Sequence, residues 1–392
     1  MRIAQFVIGI LLLVALEVLR VYFIMPFPGS QKSESIGLAY FIHENIIYFR
    51  IVGGLLILFP VIYYFRFGKN WGKVVLVVAL VAYGVVFYMF NFQFLADKMF
   101  YQPEHKIFAS VSDNKVPLEK LVLGVEIDGK AKAYPIQLIG YHHQVRDSIA
   151  GKPVMVTYCT VCRTGRAFTP AVDGTPENFR LVGMDHFNAM FEDETTGSWW
   201  RQVNGEAIAG QLKGKQLPEI PSEQMSLATW INEHPQTEIM QPDSTFQESY
   251  DNLKKYDKGK GGPLTKRDSL SWKDKSWIVG VQVGSVSRAY DWNDLINKRV
   301  INDTLGKTPI VVVLEGDSVS FHVYRRDLAS FKLDSLGSKL ADNETQSVWG
   351  WNGVCQEGTR QGQRLSAIQS YQEFWHSWST FRPNTTTYKT TD

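Results

Sequence analysis

The residues best suited to chemistry in this chain are Cys159-Thr160-Val161-Cys162, with His142-His143 before them and His186 after. A Cys-x-x-Cys brings two sulfur atoms toward one point, and metal ligation and a reversible disulfide share that spacing. Two thiolates with one or two imidazoles form a compact, soft donor set suited to copper or zinc. The expected ligands are Cys159, Cys162 and His142, with His143 or His186 as the fourth. Met184 and Met190 flank His186 and add thioethers, which favours copper, with a structural zinc site as the alternative. Two other readings stay open: a disulfide or thiol redox pair, and inert structural thiols beside surface histidines. Arg163 and Arg166 flank the pair and read as surface charge, and Cys355, the third cysteine, reads as a small buried residue.

What positions the thiols is visible in an internal repeat. Leu123-Gly124-Val125, Ala133-Tyr134, Asp147, Pro153 and Val156 align without a gap on Val279-Gly280-Val281, Ala289-Tyr290, Asp303, Pro309 and Val312, an offset of 156 positions. Asn204-Gly205, Gly210, Gly214, Leu217, Trp230, Pro235 and Thr237 align on Asn352-Gly353, Gly358, Gly362, Leu365, Trp378, Pro383 and Thr385, an offset of 148. Matched glycines, prolines and aromatics at fixed spacing are what a duplicated domain retains. At the aligned positions His142, His143, Cys159 and Cys162 become Lys298, Arg299, Glu315 and Ser318, so the second copy is expected to be free of any site.

The second copy also places the thiols. Ile310 to Leu314, Glu315 to Ser318 and Val319 to Tyr324 read as strand, tight turn and strand. By alignment Val154 to Tyr158 and Arg166 to Phe168 are strands, and Cys159 to Cys162 occupies their connection, as in a zinc knuckle. A thioredoxin-like site would need a helix opening at the first thiol, which Gly165 and Pro170 leave no room for. Pairing of Gln144 to Ile149 with Pro153 to Tyr158 across Ala150-Gly151 would bring His142 and His143 to the thiol end of the sheet.

The first hundred residues hold three apolar stretches, Ile3 to Ile24, Ile46 to Phe65 and Val74 to Leu95, each near the ~20 residues a membrane-crossing helix needs. A cleavable signal peptide fits the first poorly, because no small-residue cleavage site follows it and Glu17 and Arg20 interrupt it. Arg2 and the Arg66, Lys69, Lys73 loop place those segments in the cytoplasm and everything after about Asp97 outside it. Glu17, Arg20, His43, Glu44 and Arg50 then fall toward the outer face, as a functional patch or as pairs that snorkel. The resulting organisation is a membrane anchor over 1–98, a connector over 99–119, a first repeat with the Cys/His site over 120–240, a linker over 241–275 and a second, site-free repeat over 276–392. The fold class is N-terminal transmembrane α-helices followed by a β-rich α+β exported region of two duplicated domains. Forty-one Lys and Arg against 39 Asp and Glu give no field that would recruit nucleic acid. Three cysteines are too few for a disulfide-stabilised exported fold.

The segment Ala133-Tyr134-Pro135, His142, Asp147, PVMVTYCTVC over 153–162, Thr196-Gly197-Ser198 and Trp230 to Pro235 resembles the bacterial family catalogued as domain of unknown function 3179. The resemblance spans about Lys120 to Pro383 and implies a bacterial, exported, β-rich protein without lending an activity. Where that family commonly has a proline after the first cysteine and an acidic residue after the histidine, this chain has Thr160 and His143. No Gly-x-Ser-x-Gly and no phosphate-cradling glycine loop is present, so ordinary hydrolase and nucleotide chemistry lack a footing. The expected function is a protein of the bacterial inner membrane whose periplasmic domains handle copper or do redox chemistry. A non-catalytic subunit docked on a membrane protein complex, or on a copper or redox partner, is the reading from a different class.

Overall fold

The computed structural model describes residues 2–327 and 330–389. Three helices, Arg2–Tyr22, Ile36–Phe67 and Asn70–Gln93, are long and apolar enough to cross a membrane, and a β-rich region follows them. The middle helix begins ten residues earlier than its apolar core alone predicts, because Ile36 to Asn45 continues the same helical pattern without a breaker. Its Arg50 pairs with a carboxylate of the first helix. Glu17 is fully buried and accepts two hydrogen bonds of 2.7 Å from the Arg50 guanidinium and one of 2.9 Å from Asn91. Arg20 donates to Asn91 Oδ1 at 2.9 Å. A forked, two-bond pair of this kind is how a carboxylate is kept in an apolar helix bundle.

The chain divides into two compact units. One contains the residues up to Tyr101 with Val172–Arg201 and Glu206–Gln216. Its antiparallel sheet runs in the order Ala207–Ala209, Trp199–Arg201, Asn188–Asp193, Phe179–Asp185. The sheet and the helices meet directly: Met184 N donates to Ile24 O at 2.7 Å, His43 Nε2 lies 3.2 Å from Glu192, and Tyr40 packs edge-on against Trp199.

The other unit holds Gln102–Ala171, Gln202–Gly205 and Leu217–Asp392. Here both sequence repeats have the same connectivity. Leu121–Ile127 and Lys130–Pro135 form a hairpin, flanked by Glu223–Ser226 antiparallel on one side and Glu238–Met240 parallel on the other. Trp277–Val283 and Val286–Asp291 form the matching hairpin, with Ser370–Phe374 antiparallel and Thr386–Thr387 parallel. A second sheet follows in each: Gln144–Ile149, Lys152–Cys159, Thr164–Phe168 and Glu219–Ile220 in the first, Val300–Leu305, Thr308–Leu314, Phe321–Arg325 and Ser366–Ala367 in the second.

Individual contacts recur as well. Tyr134 and Tyr290 each donate to an aspartate, Asp147 and Asp303, at 2.7 Å, and Trp230 and Trp378 donate to Thr237 and Thr385 at 2.8 Å. Gly124 and Gly280 are the floor under those two indoles. A Cβ added to either glycine would lie 2.3 Å from the ring, a clash that backbone or indole must relieve.

Gly124→Ala and Gly280→Ala should therefore each destabilise the folded chain by about 1–3 kcal/mol, the usual cost of overpacking a core. Thermal unfolding would read this as a drop of about 2–4 °C per kcal/mol. An unchanged midpoint for either variant would show that its indole is not seated on that glycine.

Candidate functional site

The thiols sit where a central strand turns. Lys152–Cys159 pairs on one edge with Gln144–Ile149 and on the other with Thr164–Phe168, the last pair being Cys159 opposite Thr164. Cys159 thus ends the strand and Cys162 lies in the turn, which is closed by Arg163 at a positive φ of 56°. Both cysteines are fully buried, and neither forms a disulfide. Their thiols hydrogen-bond to each other.

A buried turn must find partners for its carbonyls, and here each comes from outside the first sheet. Tyr256 Oη donates to Thr160 O at 2.9 Å, Lys275 Nζ to Val161 O at 2.6 Å, and the backbone N–H of Phe374 to Cys162 O at 3.0 Å. Phe374 leads into the helix Trp375–Phe381 of the second repeat, which carries His376. His376 Nδ1 is 2.9 Å from Asp274 O, so it bears the proton, because a carbonyl only accepts. Its Nε2 lone pair is left facing Cys162 Sγ at 3.8 Å.

Arg163 and Arg166, which read as surface charge in the sequence, are both fully buried. Arg163 stacks over Trp277 with its guanidinium carbon 3.8 Å from the ring centroid and donates to Gln372 Oε1 at 2.8 Å. Arg166 forms a buried ion pair with Glu373, donates to Val203 O at 3.0 Å and lies over Tyr371. Burial is possible because the second repeat supplies the opposite charge and the aromatic faces, information that local charge patterning does not hold.

Burial favours the neutral forms of the Cys162 thiol and of two imidazoles. Burial raises the Cys162 thiol well above its usual range, the hydrogen bond and charge of Cys159 add to this, and Lys275 opposes it. Burial pushes His376 down to about 4, with Lys275 contributing in the same sense. Burial also lowers His143 to about 4, against a hydrogen bond to the Gly140 carbonyl that favours the charged form.

The other sequence-derived candidates take different partners. His142 ends the helix Ile136–His142 and bonds through Nε2 to Tyr250 Oη at 2.6 Å. His143 follows in a left-handed conformation, its carbonyl accepting from Tyr158 N at 2.9 Å, so the strand pairing does bring it to the thiol end of the sheet. Its ring is held by the carbonyls of its own helix turn. His186 belongs to the unit that contains the helices, where Nδ1 pairs with Asp185 at 2.6 Å. Among the described residues, none of these histidines joins the thiols in a group of three ligand atoms mutually within 4.8 Å. Nor do Cys159, Cys162 and His376 reach that limit as they stand, so an ion there requires side-chain rotation. Cys355 is buried as expected and packs in the core with Trp349 and Phe331.

His376 and Lys275 leave no signal in the sequence repeat, because the one does not align with a first-copy ligand and the other lies in the linker outside both copies. A residue that reaches across from the opposite repeat has no such alignment signal. The usable clue was the polar insertion of His376 between Trp375 and Trp378, in a segment whose first-repeat counterpart has Ala228.

Fold and site together define a β-rich protein with three helices able to cross a membrane and with two thiols buried at the junction of two like-connected halves. The chain belongs to the family described as protein of unknown function (DUF3179), which it matches over residues 103–385. No curated protein and no solved structure matches it.

A pH dependence follows from the two depressed imidazoles. Unfolded histidine takes up a proton near 6.5, whereas folded His143 and His376 do so only near 4. For these two groups the unfolded state therefore binds more protons between those limits, and their contribution to stability falls as pH drops from about 6.5 to about 4, while Glu233, raised to about 7 by burial, contributes in the opposite sense. Each histidine contributes up to about 1.4 kcal/mol per pH unit. Urea unfolding of the parent and of His376→Asn at pH 7 and pH 5 checks this: the variant should lose less stability on acidification than the parent, and an equal loss would contradict neutral burial of His376.

Proposed function

We propose that this protein is an extracytoplasmic, membrane-anchored metal-binding protein that handles copper through Cys159 and Cys162, with His376 as the nitrogen ligand. The observation that carries the reading is the contact of two fully buried thiols, not bridged by a disulfide, with each other and of Cys162 with an imidazole whose other nitrogen is fixed on Asp274 O. Metal-bound histidines are typically oriented in this way, by a hydrogen bond from the nitrogen that does not face the metal. Two sulfurs and one nitrogen form a soft set of the kind that takes up Cu(I), with zinc second. A thiol-exchange role is less well supported, because exchange requires an accessible thiolate and burial disfavours both conditions here. His142, His143 and His186 are replaced as ligands in this reading, since their rings are engaged elsewhere.

The test is Cu(I) binding by full-length protein in detergent under reductant, competed against a chromogenic chelator. One equivalent is expected. Cys159→Ser and Cys162→Ser should each abolish it, His376→Ala should weaken it at least tenfold, and His142→Ala, His186→Ala and Cys355→Ser should leave it in place. Full copper retention by the double cysteine variant would sink the proposal. A mass lower by two protons, restored by reductant, would instead assign a Cys159–Cys162 disulfide.

The exported placement rests on Arg66, Lys69 and Lys73 in the loop between the second and third helices. A reporter active only in the cytoplasm, fused after Asp97, should stay silent. Strong activity there would reverse the orientation and place the thiol site in the cytoplasm.

A further inference from the structure

The second repeat, which reads as free of any site in the sequence, carries a different donor set at the position equivalent to the thiols. Glu315 and His322 stand 156 positions after Cys159 and Arg166, on the same hairpin of the second sheet. The covering is reciprocal. Phe374 of the second repeat caps the thiol turn, and its equivalent Ser226 donates from its backbone N–H to Ser320 Oγ at 3.0 Å on the second hairpin. The helix that follows Ser226, Leu227–Glu233, brings Glu233 over that hairpin just as Trp375–Phe381 brings His376 over the first.

Glu233, Glu315 and His322 are the group whose ligand atoms all lie within 4.8 Å of one another among the described residues. Three features separate it from a solvated acidic surface. The imidazole of His322 is nearly inaccessible, and Glu315 is largely buried beside it, with Nε2 and Oε1 2.7 Å apart. That separation is a hydrogen bond, so an ion would replace the shared proton and part the two atoms to about 3.3–3.6 Å, the edge of a tetrahedron with bonds of about 2.0–2.2 Å. The other imidazole nitrogen, Nδ1, lies 3.9 Å from Glu223, outside hydrogen-bond reach, so that carboxylate acts on the ring through its charge. Finally, the cluster opens on a cleft of about 850 Å³, whose wall includes Ser222, a residue 4 % exposed whose hydroxyl has no hydrogen-bond partner. A buried, unsatisfied hydroxyl in the wall of a cleft is an available contact for a bound ligand.

We propose that Glu233, Glu315 and His322 bind a divalent cation such as Zn²⁺, Mn²⁺ or Fe²⁺, with the remaining coordination positions open to the cleft. Two carboxylates and one imidazole select a harder ion than the thiol site does. Three protein ligands with a free position is the pattern of an ion that meets solvent or substrate, whereas structural ions are usually enclosed by four. The two equivalent positions would then hold ions of different character, one soft and enclosed, the other harder and accessible. This site stands independently of copper binding at the thiols.

The test uses full-length protein in detergent carrying Cys159→Ser and Cys162→Ser, so that the thiols cannot contribute, titrated with Co²⁺ and followed by its visible ligand-field absorption. One equivalent should bind with a spectrum of low coordination number. Glu315→Gln and His322→Ala should each lower affinity at least tenfold, and Glu223→Gln should lower it by a smaller factor while retaining the spectrum. Glu315→Gln is close to isosteric, so circular dichroism and a melting curve on that variant separate lost ligation from lost fold. No Co²⁺ spectrum in the cysteine-free parent, or equal affinity in parent and Glu315→Gln, would overturn the proposal and leave a simple His322–Glu315 ion pair. Because the thiol site is read by Cu(I) in the wild type, either site can fail without the other.

Discussion

The arrangement depends on one constraint: a hairpin turn driven into the interior must have every polar backbone group satisfied by something that is not its own sheet. In the first repeat the carbonyls of Thr160, Val161 and Cys162 are met by Tyr256, Lys275 and Phe374, two from the linker and one from the second repeat. An unmet buried carbonyl would cost about 1–3 kcal/mol. The site is therefore assembled only when both repeats are packed, and neither repeat contains it alone. Arg166 and Glu373 carry the same dependence in charged form. Breaking such a buried pair by removing one partner typically costs about 3–5 kcal/mol.

The packing of the halves is self-complementary at its centre. Gln224 and Gln372 occupy equivalent positions, and the side chain of the first donates to that of the second at 2.6 Å. Nearby, Ser222 and Gln369 exchange two hydrogen bonds. Around this contact each hairpin is covered by the other repeat's strand end and short helix. Strand connectivity is held in common, while the side chains at the two covered turns differ in kind: thiols in one, carboxylate and imidazole in the other. Gly124 beneath Trp230 and Gly280 beneath Trp378 set the packing of each half and place no demand on the side chains of the two turns.

Much of the architecture was legible in the sequence. The three apolar helices, the strand–turn–strand placement of Cys159 to Cys162 and the pairing of Gln144–Ile149 with Lys152–Cys159 all follow from hydrophobic pattern, turn residues and repeat spacing. The site was legible only in its sulfur. His376 comes from a segment more than two hundred positions away, and the burial of Arg163 and Arg166 depends on Trp277, Tyr371 and Glu373, none of which is local to them. His142 and His143 do reach the thiol end of the sheet, yet Tyr250 and the helix carbonyls claim their rings. Period and propensity report which face of an element is buried. They carry no record of which distant side chain is buried against it, and both candidate sites consist of such pairs.

The central claim is that the first repeat's thiols and the second repeat's His376 act on one ion, and X-ray absorption at the copper edge tests it most directly. Full-length protein loaded with one equivalent of Cu(I) should show two sulfur scatterers and one nitrogen scatterer with an imidazole outer-shell pattern. His376→Ala should lose that pattern and keep the sulfurs. A shell of nitrogen and oxygen alone, or an imidazole signal that survives His376→Ala, would contradict the account.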